Sequence, residues 1–95
     1  METCKIKHRN PSEVKQIENR IRRIEGQLNG IRQMIDQQVY CDEVLIQISA
    51  AEHSIKSLGR LILANHLRSC VKEELLAGNE SIIDEVMASF RRLES

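Results

Sequence analysis

The stretch PSEVKQIENRIRRIEGQLNGIRQMI, residues 11–35, decides the fold. Asn10, Pro11 and Glu13 form a helix start: a side chain able to cap, proline at the first helical position, and an acid three residues after the cap. Behind it Val14, Ile17, Ile21, Ile24, Leu28, Ile31 and the pair Met34/Ile35 recur at steps of three and four. That is a sustained heptad stripe, the pattern of a helix that lies along another helix. Gly26 and Gly30 are its weak points or its points of close approach. Residues 37–40 break the stripe, and Asp42 and Glu43 suit the first turn of a second helix.

The second helix is predicted from Cys41 to about Ala77, where Gly78 supplies a left-handed terminator and Asn79 can cap the next segment. At about 36 residues it would be about 54 Å long, and a helix of that length needs a partner along it. Its apolar positions Val44, Ile48, Ala51, Ile55, Leu58 and Ile62 again step by three or four, and the stripe continues through His66 to Cys70. A short amphipathic helix follows from about Glu80 to Leu93, carrying Ile82, Ile83, Val86, Met87 and Phe90. The expected fold is therefore all-α, with three helices per chain, two long and one short. Residues 1–10 read as a polar leader and residues 11–95 as a single helical domain.

Composition agrees. Tyr40 and Phe90 are the only aromatic residues, charged residues make up 29%, and there is one proline, which fits helix packed on helix. A monomer of 95 residues buries only about 60 to 65% of its unfolded surface, so self-association is expected. No run of 18 apolar residues is present and the first ten residues are polar, which predicts neither a membrane span nor a signal peptide and hence a cytoplasmic protein. Net charge is zero, yet residues 1–32 hold eight Lys/Arg against four acids and residues 33–95 hold six against ten. The basic half suits an anionic partner, and a solvated helix face accounts for the same count.

Three cysteines without an export signal argue for metal or thiol chemistry rather than a disulfide framework. His66 and Cys70 stand at i and i+4, on one helix face about one turn apart, so one ion can bind both. Cys41 lies 25 residues earlier on the same helix, roughly 37 Å away at 1.5 Å per residue. The three meet only if two copies pack antiparallel, giving two identical sites about a two-fold axis. Two thiolates and an imidazole form a soft, low-coordinate set that suits Cu(I) best and Zn(II) or Ni(II) less well. Cys4 and His8 could complete a four-coordinate Ni(II) or Zn(II) site if the leader folds back. Two other readings stand beside these: a thiol sensor bridging Cys41 and Cys70, and a plain coiled-coil scaffold. The chain is not expected to be an enzyme with a small-molecule substrate, since it has no phosphate-cradling loop or nucleophile motif and little length to enclose a pocket.

The run from Arg20 to Ile31, then Tyr40-Cys41, Gln47 to Ala50, Asn65-His66-Leu67 and Cys70, closely resembles the copper-sensitive operon repressors. They belong to a wider bacterial family that includes nickel/cobalt, formaldehyde and persulfide sensors. The resemblance spans about residues 13–93, and the Cys, His, Cys triad is its specific part. It implies one Cu(I) per protomer at Cys41, His66 and Cys70 of a dimer interface. The persulfide branch lacks the histidine at 66, and nickel sensors add an N-terminal histidine, for which His8 falls one position off register. Tyr40 and Glu85 match positions that hydrogen-bond near the bound histidine, the latter only if one residue is missing around 78–80. The resemblance further implies a dimer whose long helices form an antiparallel four-helix bundle, usually paired into a homotetramer. It would bind operator DNA without metal, and copper would release the DNA and derepress efflux genes. Arg20 and Arg60 match positions implicated in DNA binding, with Arg22, Arg23, Lys15 and Lys56 as support. There is no helix-turn-helix pattern.

Overall fold

The computed structural model describes residues 9–94. Four α-helices and one π-helical turn follow in order: α1 (Pro11–Asp36), α2 (Cys41–His66), the π turn (Leu67–Val71), α3 (Lys72–Leu76) and α4 (Ile82–Glu94). α2, the π turn and α3 run on without a break and form the one long second rod predicted from sequence. The chain thus has three helical rods, and no strand among the described residues.

The helix ends are set by local hydrogen bonding. Asn10 Oδ1 accepts from the Glu13 backbone N–H at 2.8 Å while Asn10 Nδ2 donates to Glu13 Oε1 at 3.3 Å, and Pro11 occupies the first turn, where its missing N–H costs nothing. At the other end of α1 the Val39 N–H donates to the Met34 carbonyl at 3.0 Å and the Gln38 N–H to Ile35 at 3.1 Å. These two bonds require a left-handed residue between them, and Gln38 takes that conformation at φ 57°. The second rod ends the same way, with Asn79 N–H to Glu74 at 2.9 Å, Gly78 N–H to Leu75 at 3.0 Å and Gly78 at φ 87°. Asn79 does not cap α4 as expected. Its Nδ2 donates to Glu74 Oε2 at 2.6 Å and its Oδ1 accepts from Ser81 Oγ at 2.6 Å, so it seals the preceding helix end, and α4 begins at Ile82.

α1 and α2 lie antiparallel. Arg20, sixteen residues before the end of α1, donates to the carbonyl of Ser57, sixteen residues after the start of α2, at 3.3 Å. The heptad stripe of α1 divides between two rows. Ile17, Ile24 and Ile31 are covered to differing degrees, Ile24 the most, whereas Val14, Ile21, Leu28 and Ile35 are exposed, the last by 60%. α2 does the same: Val44, Ala51, Leu58 and Asn65 are covered and Leu45, Ile48 and Ile55 are exposed. At about 100° per residue each exposed row is turned about 40 to 60° in the same sense from its covered row, and Leu45 about 100°. In an antiparallel pair, same-sense rotations fall on the same side. One broad face of the hairpin is therefore apolar and uncovered.

α4 folds back over the far end of this hairpin. Ile82 and Val86 join Val71 in a buried cluster, and Leu93 lies against Gly59, where an added Cβ would displace the tip of the Leu93 side chain. The whole measures 56 × 28 × 16 Å with a radius of gyration of 17.3 Å, against about 12 Å for a compact chain of this length. No described side chain falls below 2% exposure. A slab two helices thick cannot build an interior, and its uncovered heptad row has the pattern of one half of a helical interface.

Two expectations follow. Gln38→Gly should stabilise the fold by about 1 kcal/mol, since glycine adopts positive φ without the Cβ clash; urea unfolding at equilibrium measures it, and a loss of stability would contradict the turn geometry. Ile21→Lys with Leu28→Lys should lower the mass of the particle in sedimentation velocity, and an unchanged mass would show that this row faces water.

Candidate metal centre and nucleic-acid interface

Cys41 opens α2 as an exposed free thiol, and His66 closes the same helix. Their separation is that of a 26-residue helix, roughly 37 Å, and within the described residues no group of three His, Cys, Asp or Glu side chains is close enough to hold an ion. Yet the two belong to one line. Cys41, Leu45, Ile48, Glu52, Ile55, Gly59, Ile62 and His66 step by four and three throughout, so they form a single heptad seam with a sulfur at one end and an imidazole at the other. Its first half is open on the apolar face. Its second half borders α4, where Gly59, Ile62, Leu63 and His66 face Ser89, Arg92 and Leu93 across a cleft of about 240 Å³.

The π turn follows His66 directly and contains Cys70. This wider turn interrupts the i to i+4 register just where the two candidate ligands are counted, a place where such turns recur in functional helices. Cys70 and Val71 are both buried there, and Ser69 Oγ donates to the Asn65 carbonyl at 2.8 Å. Cys70 is held in a disulfide in this structure, so ligation by its sulfur requires reduction to the thiolate. The donor set remains soft: two sulfurs and one imidazole. Tyr40 lies beside Cys41 at the start of α2 and is 71% exposed, and Glu85 lies on α4, one turn from Ser89 in the His66 cleft. Cys4 and His8 lie outside the described residues. Sequence reasoning quoted Asn65 without giving it a role, and its side-chain nitrogen is buried without a hydrogen-bond partner next to His66; it did not single out Arg92, which shares the His66 cleft. A buried asparagine in a heptad row is visible in the sequence; the fold-back of α4 is not.

The basic residues separate into two groups. Arg20 and Arg23 line a notch of about 180 Å³ between α1 and α2 together with His53, Ser54 and Ser57, and Arg20 also donates to Ser57 Oγ. Lys15, Arg22 and Arg60 are exposed on the outer surfaces of the helices, and Lys56 stands 3.9 Å from Glu52. The exposed apolar rows are turned to one side of the hairpin, and Arg20, Arg23 and Ser57, counted around the helices in the same way, to the other.

Residues 13–92 match the model of a family described as metal-sensitive transcriptional repressors. The chain belongs to this family. A relative from Bacillus subtilis (strain 168), the copper-sensing transcriptional repressor CsoR, is 35% identical over 92% of this chain and 87% of its own length. The copper-sensing repressor RicR of Mycobacterium tuberculosis (strain ATCC 25618 / H37Rv) is 38% identical over 78% of this chain and 80% of its own. Among solved structures, CsoR with Cu(I) from Geobacillus thermodenitrificans NG80-2 superposes with a TM-score of 0.84 at 30% identity, covering 95% of both chains. The nickel-responsive regulator InrS gives 0.73 at 28% identity, covering 93% of this chain and 97% of its own. The family assignment agrees with the all-helical architecture, and no described helix is long and apolar enough to cross a membrane.

In this family member the Leu93 side chain of α4 rests on Gly59. Gly59→Val should push Leu93 away and destabilise the fold by about 1 to 3 kcal/mol through overpacking. Thermal unfolding followed by circular dichroism measures this, and full stability would mean that α4 does not pack there.

Proposed function

We propose that this repressor binds operator DNA in its metal-free form and releases it when Cu(I) is held at Cys41 of one copy and His66 and Cys70 of another. The observation that carries this reading is the heptad seam: it ends in Cys41 and His66, and one straight helix keeps them roughly 37 Å apart. Antiparallel pairing of two such seams about a two-fold axis sets each end against the other. The uncovered apolar face of the hairpin, together with the exposed Ile83, Met87 and Phe90 of α4, supports a dimer, and the family resemblance supports pairing of dimers into a tetramer.

Copper is favoured over nickel by the soft donor set and by copper-sensing relatives at 35 to 38% identity. Bound there, the ion supplies a crosslink between protomers. Cys41 ties the start of α2 in one copy to the π turn of the other, while Tyr40 and Glu85 orient the imidazole of His66. This biases α4 against α2 and lowers DNA affinity. The DNA side comprises Arg20 and Arg60, supported by Arg22, Arg23, Lys15 and Lys56. By linkage, DNA must weaken copper binding by the same factor, typically 1 to 3 kcal/mol. The setting proposed is the cytoplasm.

The test is an anaerobic Cu(I) titration of the reduced protein against a competing chelator, with and without DNA from upstream of its own gene. Parent protein should bind one ion per protomer, and Cys41→Ser and His66→Ala should each abolish tight binding. A one-to-one mixture of the two variants, allowed to exchange subunits, should regain about a quarter of the sites, because each mixed dimer rebuilds one complete site. No recovery would sink the shared arrangement. Equal copper affinity with and without DNA would sink the linkage, and tight nickel binding that required His8 would replace copper.

A further inference from the structure

Two buried polar atoms where α1 meets α2 have no hydrogen-bond partner, and they are complementary. Asn65, in the last turn of α2, is 8% exposed and its Nδ2 is unpaired among the described residues. Glu13, in the first turn of α1, is half-buried and its Oε2 is likewise unpaired. The first can only donate and the second, ionised, can only accept. Counting equally along both helices from the turn that joins Asp36 to Cys41 places Ser57 beside Arg20, as their hydrogen bond requires, and Asn65 beside Ser12 and Glu13. Both residues belong to rows that face the contact. Asn65 follows Val44, Ala51 and Leu58 at steps of seven, and Glu13 precedes Arg20, which bonds Ser57, by the same step. The Glu13 carboxylate is held by one oxygen, since Oε1 accepts from Asn10 Nδ2 at 3.3 Å. Oε2 is left to take a second donor. Buried donors and acceptors without partners are rare in folded chains, because each has given up water with nothing in return. A matched pair at one level of the hairpin marks a contact that a small movement makes or breaks.

We propose that Asn65 is a positioning residue of the metal response: in the copper-loaded protein its Nδ2 donates to Glu13 Oε2 and clasps the start of α1 to the end of α2. The clasp rests on the Cu(I) reading above and adds Asn65 and Glu13 to it. A ligand shifts an equilibrium only through contacts that differ between two states, and this contact is open in the structure described. Asn65 directly precedes His66, and neighbouring residues of a helix keep a fixed angle of about 100°. Any rotation of the last turn of α2 that turns the imidazole therefore turns the carboxamide with it. The π turn that follows His66 gives this end of the rod a wider backbone step in which to rotate. Closing the clasp moves the first turn of α1, the helix that carries Arg20 and Arg23. A change at His66 thus reaches the proposed DNA-binding residues by a route separate from α4.

The test measures affinity for a duplex from upstream of the protein's own gene, metal-free and loaded with Cu(I), in the parent, Asn65→Leu, Asn65→Asp, and Asn65→Asp combined with Glu13→Gln. Metal-free affinities should agree within about twofold. Loaded Asn65→Leu should hold the duplex about fivefold more tightly than the loaded parent, the equivalent of one hydrogen bond lost from the loaded form. Asn65→Asp should do at least as much, because it sets two carboxylates together. Adding Glu13→Gln restores one donor and one acceptor with their roles exchanged, and should return the parental response. A purely structural asparagine would change the unfolding temperature and leave the response to copper at the parental value, which would overturn the clasp. Failure of Glu13→Gln to rescue a folded Asn65→Asp would overturn it too, and if Asn65→Asp does not fold, Asn65→Leu decides. If copper leaves the parent's DNA affinity unchanged, the function proposed above fails instead. The side-chain NH2 resonances of Asn65, followed by NMR during Cu(I) titration of the reduced protein without DNA, then decide the clasp: a shift that Glu13→Ala abolishes upholds it, and no shift overturns it.

Discussion

The packing of α1 along α2 through one heptad row from each helix is the interaction on which everything else depends. Ile17, Ile24 and Ile31 on α1 and Val44, Ala51 and Leu58 on α2 are the covered rows, and those rows alone are spent inside the chain. A heptad stripe has two rows, so pairing two helices leaves the second row of each on the surface. The hairpin is consequently stable as a unit of assembly rather than as a finished globule, which explains a radius of gyration of 17.3 Å and the lack of any side chain fully removed from water among the described residues. The same division separates two kinds of surface. The exposed apolar rows lie on one side, and Arg20, Arg23 and Ser57 on the other.

Helix rigidity imposes the second constraint. A continuous α-helix holds Cys41 and His66 at opposite ends of a rod, and no side-chain motion closes such a gap. Binding chemistry that needs both must involve another copy, so sensing and assembly are mechanically the same event in this reading. The π turn and α4 add a second layer. His66, the Gly59 contact of Leu93, and the Arg20 to Ser57 hydrogen bonds lie within ten residues of one another along the second rod. A change in how α4 sits at His66 therefore has a short path, through Gly59, to the residues that hold Arg20.

The helix termini show how differently equivalent turns are written. Both long rods end in the same pair of hydrogen bonds around a left-handed residue, but one uses Gly78 and the other Gln38. Glycine advertises the conformation and glutamine does not, so the first turn was legible only as a break in the apolar period. Asn79 is the converse case. It has the identity of a helix cap, yet Glu74 and Ser81 compete for its side chain and α4 starts later. Gly26 and Gly30 meet nothing within 4 Å inside the chain, so a close approach at either would have to come from another molecule.

The sequence by itself determined three helical rods, their approximate limits and the Cys, His, Cys spacing, because these depend on periodicity, capping and helix rise, all of which are local. It also determined that Cys41 cannot join His66 within one chain, since that is a matter of length. Tertiary structure decided which heptad row is buried, because two rows of equal hydrophobicity are interchangeable until a partner helix chooses one. It decided the π turn that follows His66 and contains Cys70, the fold-back of α4 onto Gly59, and the meeting of Arg20 and Arg23 with His53 and Ser57. Those residues are some thirty-five positions apart, and only the antiparallel register of α1 on α2 brings them to one notch.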